Sequence, residues 1–154
     1  MPALVVDTPH VLGEFVGREI AVTDWFTVTQ ERIRQFAEVT EDRQWIHLDA
    51  ERAKRESPYG ATIAHGFLTL SLLSQLMKLA IEVRSTARLT VNYGLNRVRF
   101  PSPVRAGTRI RGRFTLLRWN ELSDAQETIF ACTVDSEGSD KPCCVAEWIL
   151  RYYK

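Results

Sequence analysis

The feature that most constrains the fold is the stretch from residue 65 to residue 81, which predicts a helix that is apolar on nearly every side. A helix of this kind is either buried in a protein core or spans a membrane. Membrane insertion is disfavoured, because a span needs about 20 mainly apolar residues and polar side chains interrupt this run. These side chains are Thr69, Ser71, Ser74, Gln75 and Lys78. We therefore expect a helix enclosed by a curved sheet.

The second half of the chain predicts the sheet that encloses this helix. Val91, Tyr93 and Leu95 alternate with other side chains, and similar alternation recurs in the segments that follow. Turn-forming sequences separate these segments. The predicted strands cover residues 90–99, 109–119, 127–135 and 143–152. One long buried helix wrapped by a mainly antiparallel sheet is an α+β arrangement.

The first half predicts shorter elements. An extended stretch covers residues 18–28, and Thr29 then looks like the N-cap of a short amphipathic helix with apolar residues at Ile33, Phe36 and Ala37. Residues 41–64 are expected to be mostly irregular, with a brief helix capped by Asp49. No internal repeat or low-complexity linker interrupts the chain.

Length and composition set the remaining bounds. The 154 residues predict a single domain, 1–154, with its core over about 17–152. The net charge of +1 gives no reason to expect a nucleic-acid partner. The N-terminus lacks a basic region followed by a long apolar run, so we expect no signal peptide and a cytoplasmic protein. We expect Cys132, Cys143 and Cys144 to be free thiols that pack as small apolar side chains, as in proteins of a reducing compartment.

The three histidines, His10, His47 and His65, do not form a metal-binding spacing with one another or with the cysteines. The sequence also lacks the common glycine-rich phosphate loops. We therefore expect no metal site and no cofactor, and chemistry that uses side chains alone.

Asp42 and His47 are the candidates for that chemistry. On a continuous helix, residues five apart point roughly 140° away from each other, so the two converge only if the backbone leaves the helix between them. A carboxylate and an imidazole that share one water are suited to general acid and base catalysis. The alternative is that Asp42 only ends the helix and His47 is an ordinary buried histidine, which is the commoner outcome for an isolated pair.

His65 and Gly66 open the apolar helix, where the first backbone N–H groups lack intrahelical partners. A substrate carbonyl could approach the Gly66 N–H closely, as in an oxyanion hole. The alternative is that Gly66 only permits tight packing and that His65 is structural.

Together these motifs resemble a known family. Asp42-x-x-x-x-His47, followed by Ala64-His65-Gly66-Phe67-Leu68, is similar to the hydratase motif of the MaoC-like (R)-specific enoyl-CoA hydratases. The sequences of the segments Asp42–Asp49 and Asn92–Pro101 resemble the NodN-like branch of this family. The resemblance implies a hot-dog fold, a homodimer with active sites at the subunit interface, and a coenzyme A thioester whose acyl chain enters a tunnel. It assigns water activation to Asp42 and His47, the thioester oxygen to the Gly66 N–H, and support of the catalytic pair to Ser74.

The reaction implied by the resemblance is syn addition of water to a trans-2-enoyl-CoA, giving a 3-hydroxyacyl-CoA. The chain departs from the commoner sequence motif of the family, since Gln44-Trp45-Ile46 replaces Asn-Pro-Leu between the two positions that the resemblance makes catalytic. Two alternatives stay open: an acyl-CoA thioesterase, which the same fold also hosts, and a non-catalytic protein that binds acyl thioesters. A run of arginines could meet the phosphates of coenzyme A but is more typical of a solvated strand face. These arginines are Arg97, Arg99, Arg105, Arg109, Arg111 and Arg113.

Overall fold

The computed structural model describes residues 2–84 and 87–154, and in it an antiparallel sheet packs against consecutive helices. The strands are β1 (Leu4–Val6), β2 (Glu19–Val22), β3 (Phe26–Thr27), β4 (Ile81–Val83), β5 (Leu89–Arg99), β6 (Arg109–Glu121), β7 (Ala125–Ser136) and β8 (Cys144–Tyr153). The helices are α1 (Gln30–Thr40), α2 (Trp45–Leu48), α3 (Ala50–Glu56), α4 (Gly66–Ser71) and α5 (Leu73–Ala80), and a 3-10 helix covers Pro9–Phe15.

The main sheet has the order β2-β6-β7-β8-β5, with β3 also paired to β6, and every pairing in it is antiparallel. The predicted strands are confirmed as β5 to β8, with ends that differ by a few residues. Burial alternates strictly along β8 because one face of the strand meets the core and the other meets solvent. Within the described residues, strand β5 pairs only with β8 and forms one edge of the sheet.

The apolar helix differs from its prediction in two ways. It is split at Leu72 into α4 and α5, and Ile81 already lies in β4, which pairs in parallel with β1. It is also not buried on every side, because Phe67, Ser71 and Gln75 are exposed. Residues four apart share one helix face, so these side chains mark the face that the sheet leaves uncovered.

The core lies where α5 crosses β6. Leu76 of α5 and Phe114 of β6 are fully buried. A Cβ atom on Gly112 of β6 would lie 3.1 Å from the Cβ atom of Leu76, so the missing side chain lets helix and strand approach closely. The cluster also includes Val6 and Leu12, which precede the segment 17–152 that was expected to hold the core.

The first half of the chain is more regular than predicted. The extended stretch 18–28 is divided into β2 and β3, and the region 41–64, expected to be mostly irregular, holds α2 as well as α3. Both predicted caps are confirmed: Thr29 Oγ1 accepts from the N–H of Arg32 at 3.2 Å, and Asp49 Oδ1 accepts from the N–H of Arg52 at 2.9 Å. Among the helices of the described residues, none has the length and apolar character needed to cross a bilayer.

Candidate active site

The backbone leaves helix α1 immediately before Asp42. Glu41 adopts the left-handed conformation (φ 61°) that ends the helix, a position where glycine is the usual residue. A short non-helical link then leads into α2, which carries His47. Asp42 and His47 therefore do not lie on one continuous helix, although the exit from α1 comes just before Asp42 and not between the two residues. Their side chains converge.

The convergence forms a cleft of about 430 Å³. Asp42 stands at the open side, with about 55% of its side chain exposed, whereas His47 is buried. The lining is mainly apolar, because three of its side chains are phenylalanines. The lining consists of Phe36, Thr40, Asp42, His47, His65, Gly66, Phe67 and Phe100.

His47 is held at both its main chain and its ring. Its Nδ1 donates to the backbone oxygen of Ile63 at 2.7 Å, and its own backbone oxygen accepts from Nε2 of Gln30 at 2.8 Å. Because a carbonyl can only accept, Nδ1 carries the ring proton and Nε2 keeps a free lone pair. Burial lowers the pKa of His47, and nearby His65 lowers it further, while the bond to Ile63 and the Asp42 carboxylate oppose the shift. The neutral, basic form of the imidazole is thereby favoured.

The carboxylate of Asp42 is oriented by its own loop. Its Oδ1 lies 3.4 Å from the backbone nitrogen of Gln44, and its Oδ2 lies 4.0 Å from Nε2 of His65. The backbone oxygen of Asp42 accepts from the same Nε2 at 2.9 Å. The loop therefore carries an exposed acceptor beside a buried base, which is a suitable arrangement for moving a proton to and from a shared water.

Gly66 lines the same cleft at the start of α4. A Cβ atom at this position would lie 2.9 Å from the ring of Phe100, closer than real Cβ atoms come. Within the described residues, no acceptor is found for the N–H of Gly66. Gly66 is thus a packing glycine that lines the cleft and has an N–H without an acceptor among the described residues.

Ser74 lies apart from this group. It lines a second cavity, of about 460 Å³, between the central helices and strand β5. The cleft and this cavity share no lining residue. The structure therefore brings together Asp42, His47 and Gly66 and does not bring Ser74 to them.

The donor atoms of Asp42, His47 and His65 lie within 4.8 Å of one another, so a metal ion must be considered. The two rings are stacked, with centroids 3.7 Å apart and planes inclined by 24°. Imidazole lone pairs lie in the ring plane, so nearly parallel stacked rings cannot both direct a nitrogen at one ion at the usual distance of about 2.0–2.1 Å. The arrangement suits proton transfer better than metal binding.

The arginine run is divided by the structure. Arg109, Arg111 and Arg113 of β6 pair with Glu137, Asp135 and Glu19 respectively. These pairs lie on the outer side of the sheet, which supports the interpretation of a solvated strand face for this part of the run.

Sequence reasoning missed several residues that build the site. Gln30 binds both the backbone of His47 and, through Oε1, the hydroxyl of Thr62 at 2.5 Å. Phe100 closes the cleft beside Gly66. No local pattern marks Gln30, whereas Phe100 lies within the Asn92–Pro101 segment that carries part of the family resemblance.

Comparisons with known proteins show the family and the fold of the chain. The chain matches the MaoC like domain over residues 12–137. It is 47% identical to 3-hydroxyacyl-thioester dehydratase Z of Mycobacterium tuberculosis over 150 residues, covering 96% of this chain and 95% of that protein. It is 44% identical to Nodulation protein N of Rhizobium leguminosarum bv. viciae over 135 residues, covering 87% and 84%. An unliganded R-hydratase from Pseudomonas aeruginosa superposes with a TM-score of 0.71 at 23% identity, over 90% of this chain and 82% of that one. The structural likeness confirms the predicted α+β hot-dog fold.

Proposed function

The chain belongs to the MaoC-like family of hydratases and dehydratases, and from this premise we propose that it adds water to trans-2-enoyl-CoA thioesters. The product is the (R)-3-hydroxyacyl-CoA, and the reverse reaction is dehydration. The observation that carries the proposal is the single cleft that Asp42, His47 and Gly66 share. The substrate is activated by its own thioester, so the reaction requires no cofactor beyond the coenzyme A that the substrate carries.

In the proposed mechanism, Asp42 and His47 bind one water between them. The water oxygen bonds to C3 of the substrate as the pair accepts a proton, and the pair returns a proton to C2. The protein ends in its starting protonation state, so atoms and charge balance. The free Nε2 lone pair of His47 and the lowered pKa of its ring support a basic role near neutral pH.

The Gly66 N–H is proposed to bind the thioester oxygen. Negative charge develops on this oxygen when water adds to C3, and a fixed N–H donor stabilises that charge at little cost in reorganisation. The proposal is supported by the position of Gly66 in the lining of the cleft and by the absence of a side chain that would shield its N–H.

We place the acyl chain in the second cavity, beside Ser74. Four of its eight lining residues are large and apolar, which suits a hydrocarbon chain. The Ser74 hydroxyl is one of its polar groups, together with Ser71 and Asn92. In this position Ser74 would support the substrate and, through it, the catalytic pair. The apolar walls are formed by Leu70, Leu73, Leu95 and Trp148.

We further propose that the working form is a homodimer paired through β5. This edge strand exposes Val91 and Tyr93 to solvent at 38% and 54%. A long, apolar edge strand is a template for pairing with another chain. A second copy on this edge would also cover the acyl cavity, whose outer wall is formed by β5 residues Asn92, Gly94 and Leu95.

A cytoplasmic location is proposed from the cysteines. Cys132, Cys143 and Cys144 are buried free thiols, and burial raises the pKa of Cys144 to about 11 and that of Cys143 to about 12. Thiols that stay protonated and form no disulfide are compatible with a reducing compartment.

The test is loss of the ultraviolet absorbance of the conjugated enoyl thioester, first with crotonyl-CoA and then with longer trans-2-enoyl-CoAs. Asp42→Asn and His47→Ala are each expected to lower kcat about 100- to 10,000-fold, the usual contribution of a general acid or base. Matched controls are Asp140→Asn and His10→Ala, which change the same residue types at exposed positions. Retained turnover in the Asp42 and His47 variants would show that the pair is not catalytic.

The assay also distinguishes the alternatives. Free thiol released from saturated acyl-CoA would identify a thioesterase, and saturable binding without turnover would identify a binding protein. Comparing kcat/KM for the same acyl group on coenzyme A and on an acyl-carrier protein tests the choice of carrier. Chiral analysis of the 3-hydroxyacyl product tests the configuration at C3.

A further inference from the structure

His65 contacts both members of the catalytic pair, although neither the proposed mechanism nor the family resemblance gives it a role. Its ring is stacked on that of His47, and Phe36 packs against it with ring centroids 5.0 Å apart. The side chain is 97% buried, since only 3% of it is exposed. A polar ring this deeply buried beside the cleft requires a physical explanation.

The hydrogen bonds of His65 define its tautomer. Nε2 lies 2.9 Å from the backbone oxygen of Asp42, an acceptor, so Nε2 carries the proton and donates it. Among the described residues, the buried Nδ1 has no hydrogen-bond partner. The hydrogen bond to the Asp42 oxygen therefore fits the tautomer with its proton on Nε2.

Helix capping does not explain these contacts of His65. His65 is the N-cap residue of α4, but its side chain makes no capping hydrogen bond. Side chains that cap well are Asn, Asp, Ser and Thr. The ring is directed at the Asp42 loop and at His47 instead.

We propose that His65 is the positioning residue of this site: one side chain fixes the main chain of Asp42 through Nε2 and supports the ring of His47 by stacking. The inference rests on the proposed function, because it assigns His65 to the pair that activates water. His65 acts through these two residues and is not itself proposed to touch the substrate.

The two contacts have separable consequences. The bond to Asp42 sets where the carboxylate stands, so losing it affects kcat more than KM. The stacked ring keeps water from His47, and desolvation is the main reason that the pKa of His47 is lowered. The titratable groups with recorded contacts to His65 are Asp42 and His47, and from α1 the ring of Phe36 packs against it.

A matched pair of variants separates the contacts. The amide nitrogen of Gln is the same number of bonds from Cα as Nε2 of His, and that of Asn corresponds to Nδ1. His65→Gln therefore retains a donor for the Asp42 oxygen, whereas His65→Asn loses it, and both variants remove the ring. We expect kcat of His65→Asn to be about tenfold below that of His65→Gln, with similar KM values. A purely structural role predicts the opposite order, because Asn is the better N-cap.

Titration of the imidazole NMR signals provides a readout that does not depend on activity. The chain has only three histidines, and His10→Ala and His47→Ala assign their signals. We expect the nitrogen shifts of the wild type to report Nε2–H for His65 and Nδ1–H for His47. In both amide variants the pKa of His47 should rise towards its ordinary value, and the acid limb of the kcat/KM profile should move with it.

Three results would overturn the proposal: an Nδ1–H tautomer at His65, equal kcat in the two amide variants, or a pKa of His47 that is unchanged in both. If the wild type hydrates no enoyl thioester, the proposed function fails. The NMR titration would still decide whether His65 fixes this tautomer and supports the ring of His47.

Discussion

At the scale of single residues, His47 links the chemistry of the site to the stability of the fold. Its pKa is below the ordinary value of 6.5 in the folded protein, so the unfolded chain binds more protons as the pH falls. The contribution of neutral His47 to stability is therefore fully present above about pH 6.5 and is lost as the pH falls through the lower folded pKa. His47→Gln should show a weaker decrease in the free energy of unfolding between about pH 8 and pH 5.

Urea unfolding of the two proteins across this range measures the difference directly, and taking that difference removes the contribution of other titrating groups. His10→Gln is the control, because it removes an exposed histidine and should leave the pH dependence of the wild type. Parallel curves for wild type and His47→Gln would contradict a lowered pKa at His47.

Gly66 provides a second prediction at this scale. Gly66→Ala places a Cβ atom 2.9 Å from the ring of Phe100, which must displace the ring or the start of α4. We expect kcat to fall about tenfold to hundredfold, because outright removal of an oxyanion donor costs about 100- to 1,000-fold and this variant displaces the N–H without removing it. The double variant Gly66→Ala, Phe100→Ala removes the clash and should be more active than Gly66→Ala alone, as measured by the enoyl absorbance assay.

Phe100→Ala alone is the reference for the double variant. Full activity in Gly66→Ala would show that the close packing of Gly66 is not needed. A double variant no better than the single one would show that the clash with Phe100 is not the cause of the loss.

The same residues show how far sequence reasoning reaches. Asp42, His47 and Gly66, which the structure brings to one cleft, could be proposed from the sequence because their types and spacing carry chemical meaning. Their supports could not: the oxygen of Ile63 that binds His47 is a main-chain atom, and every residue has one. Gln30 reaches His47 from another helix, a contact between residues distant in the chain that no local period encodes.

At the scale of elements, the end of α1 determines where Asp42 stands. Glu41 adopts φ 61°, a conformation that costs a side-chain-bearing residue roughly 1 kcal/mol and costs glycine little. Glu41→Gly should therefore keep or raise the free energy of unfolding by up to about 1 kcal/mol. Glu41→Val should lower it by about 1–2 kcal/mol and also lower kcat, because a β-branched residue resists this conformation.

Urea unfolding and the enoyl assay on both variants test this prediction. Val39→Gly is the control for a glycine in the preceding turn, where helical φ values make glycine destabilising. Equal stability of the Glu41→Gly and Glu41→Val proteins would contradict the role of the left-handed turn at this position.

Element prediction failed where burial depends on distant parts of the chain. The apolar pattern of residues 65–81 indicates that the helix is mostly buried, but it does not reveal the turn at Leu72 or the uncovered face at Phe67. The short strands β1 and β4 are stabilised by pairing with each other, although most of the first half of the chain separates them in sequence. Their sequences are too short to show a period of two.

At the scale of the whole molecule, the order β2-β6-β7-β8-β5 leaves β5 at an edge of the sheet. The proposed dimer depends on the backbone groups of β5 that point away from β8. The N–H of Lys154 donates to the backbone oxygen of Asp124, on the β7 side of β8. Since successive residues of a strand turn alternately towards each neighbour, the N–H of Tyr152 also points to β7. Thr90 lies opposite Tyr152, so its own N–H points away from β8. Thr90→Pro therefore removes an outward donor while leaving the pairing with β8 intact.

We expect the wild-type protein to be a dimer by size-exclusion chromatography with light scattering, and Thr90→Pro to weaken its dimerisation at least about tenfold. The control is Thr90→Val, which keeps both the N–H and a β-branched shape. Because β5 also forms the outer wall of the cavity beside Ser74, KM for long-chain enoyl thioesters should rise with monomer content more than KM for crotonyl-CoA. A Thr90→Pro protein that dimerises as well as the wild type would place the interface on another surface. An unchanged KM in a proven monomer would show that binding of the acyl chain does not depend on the dimer.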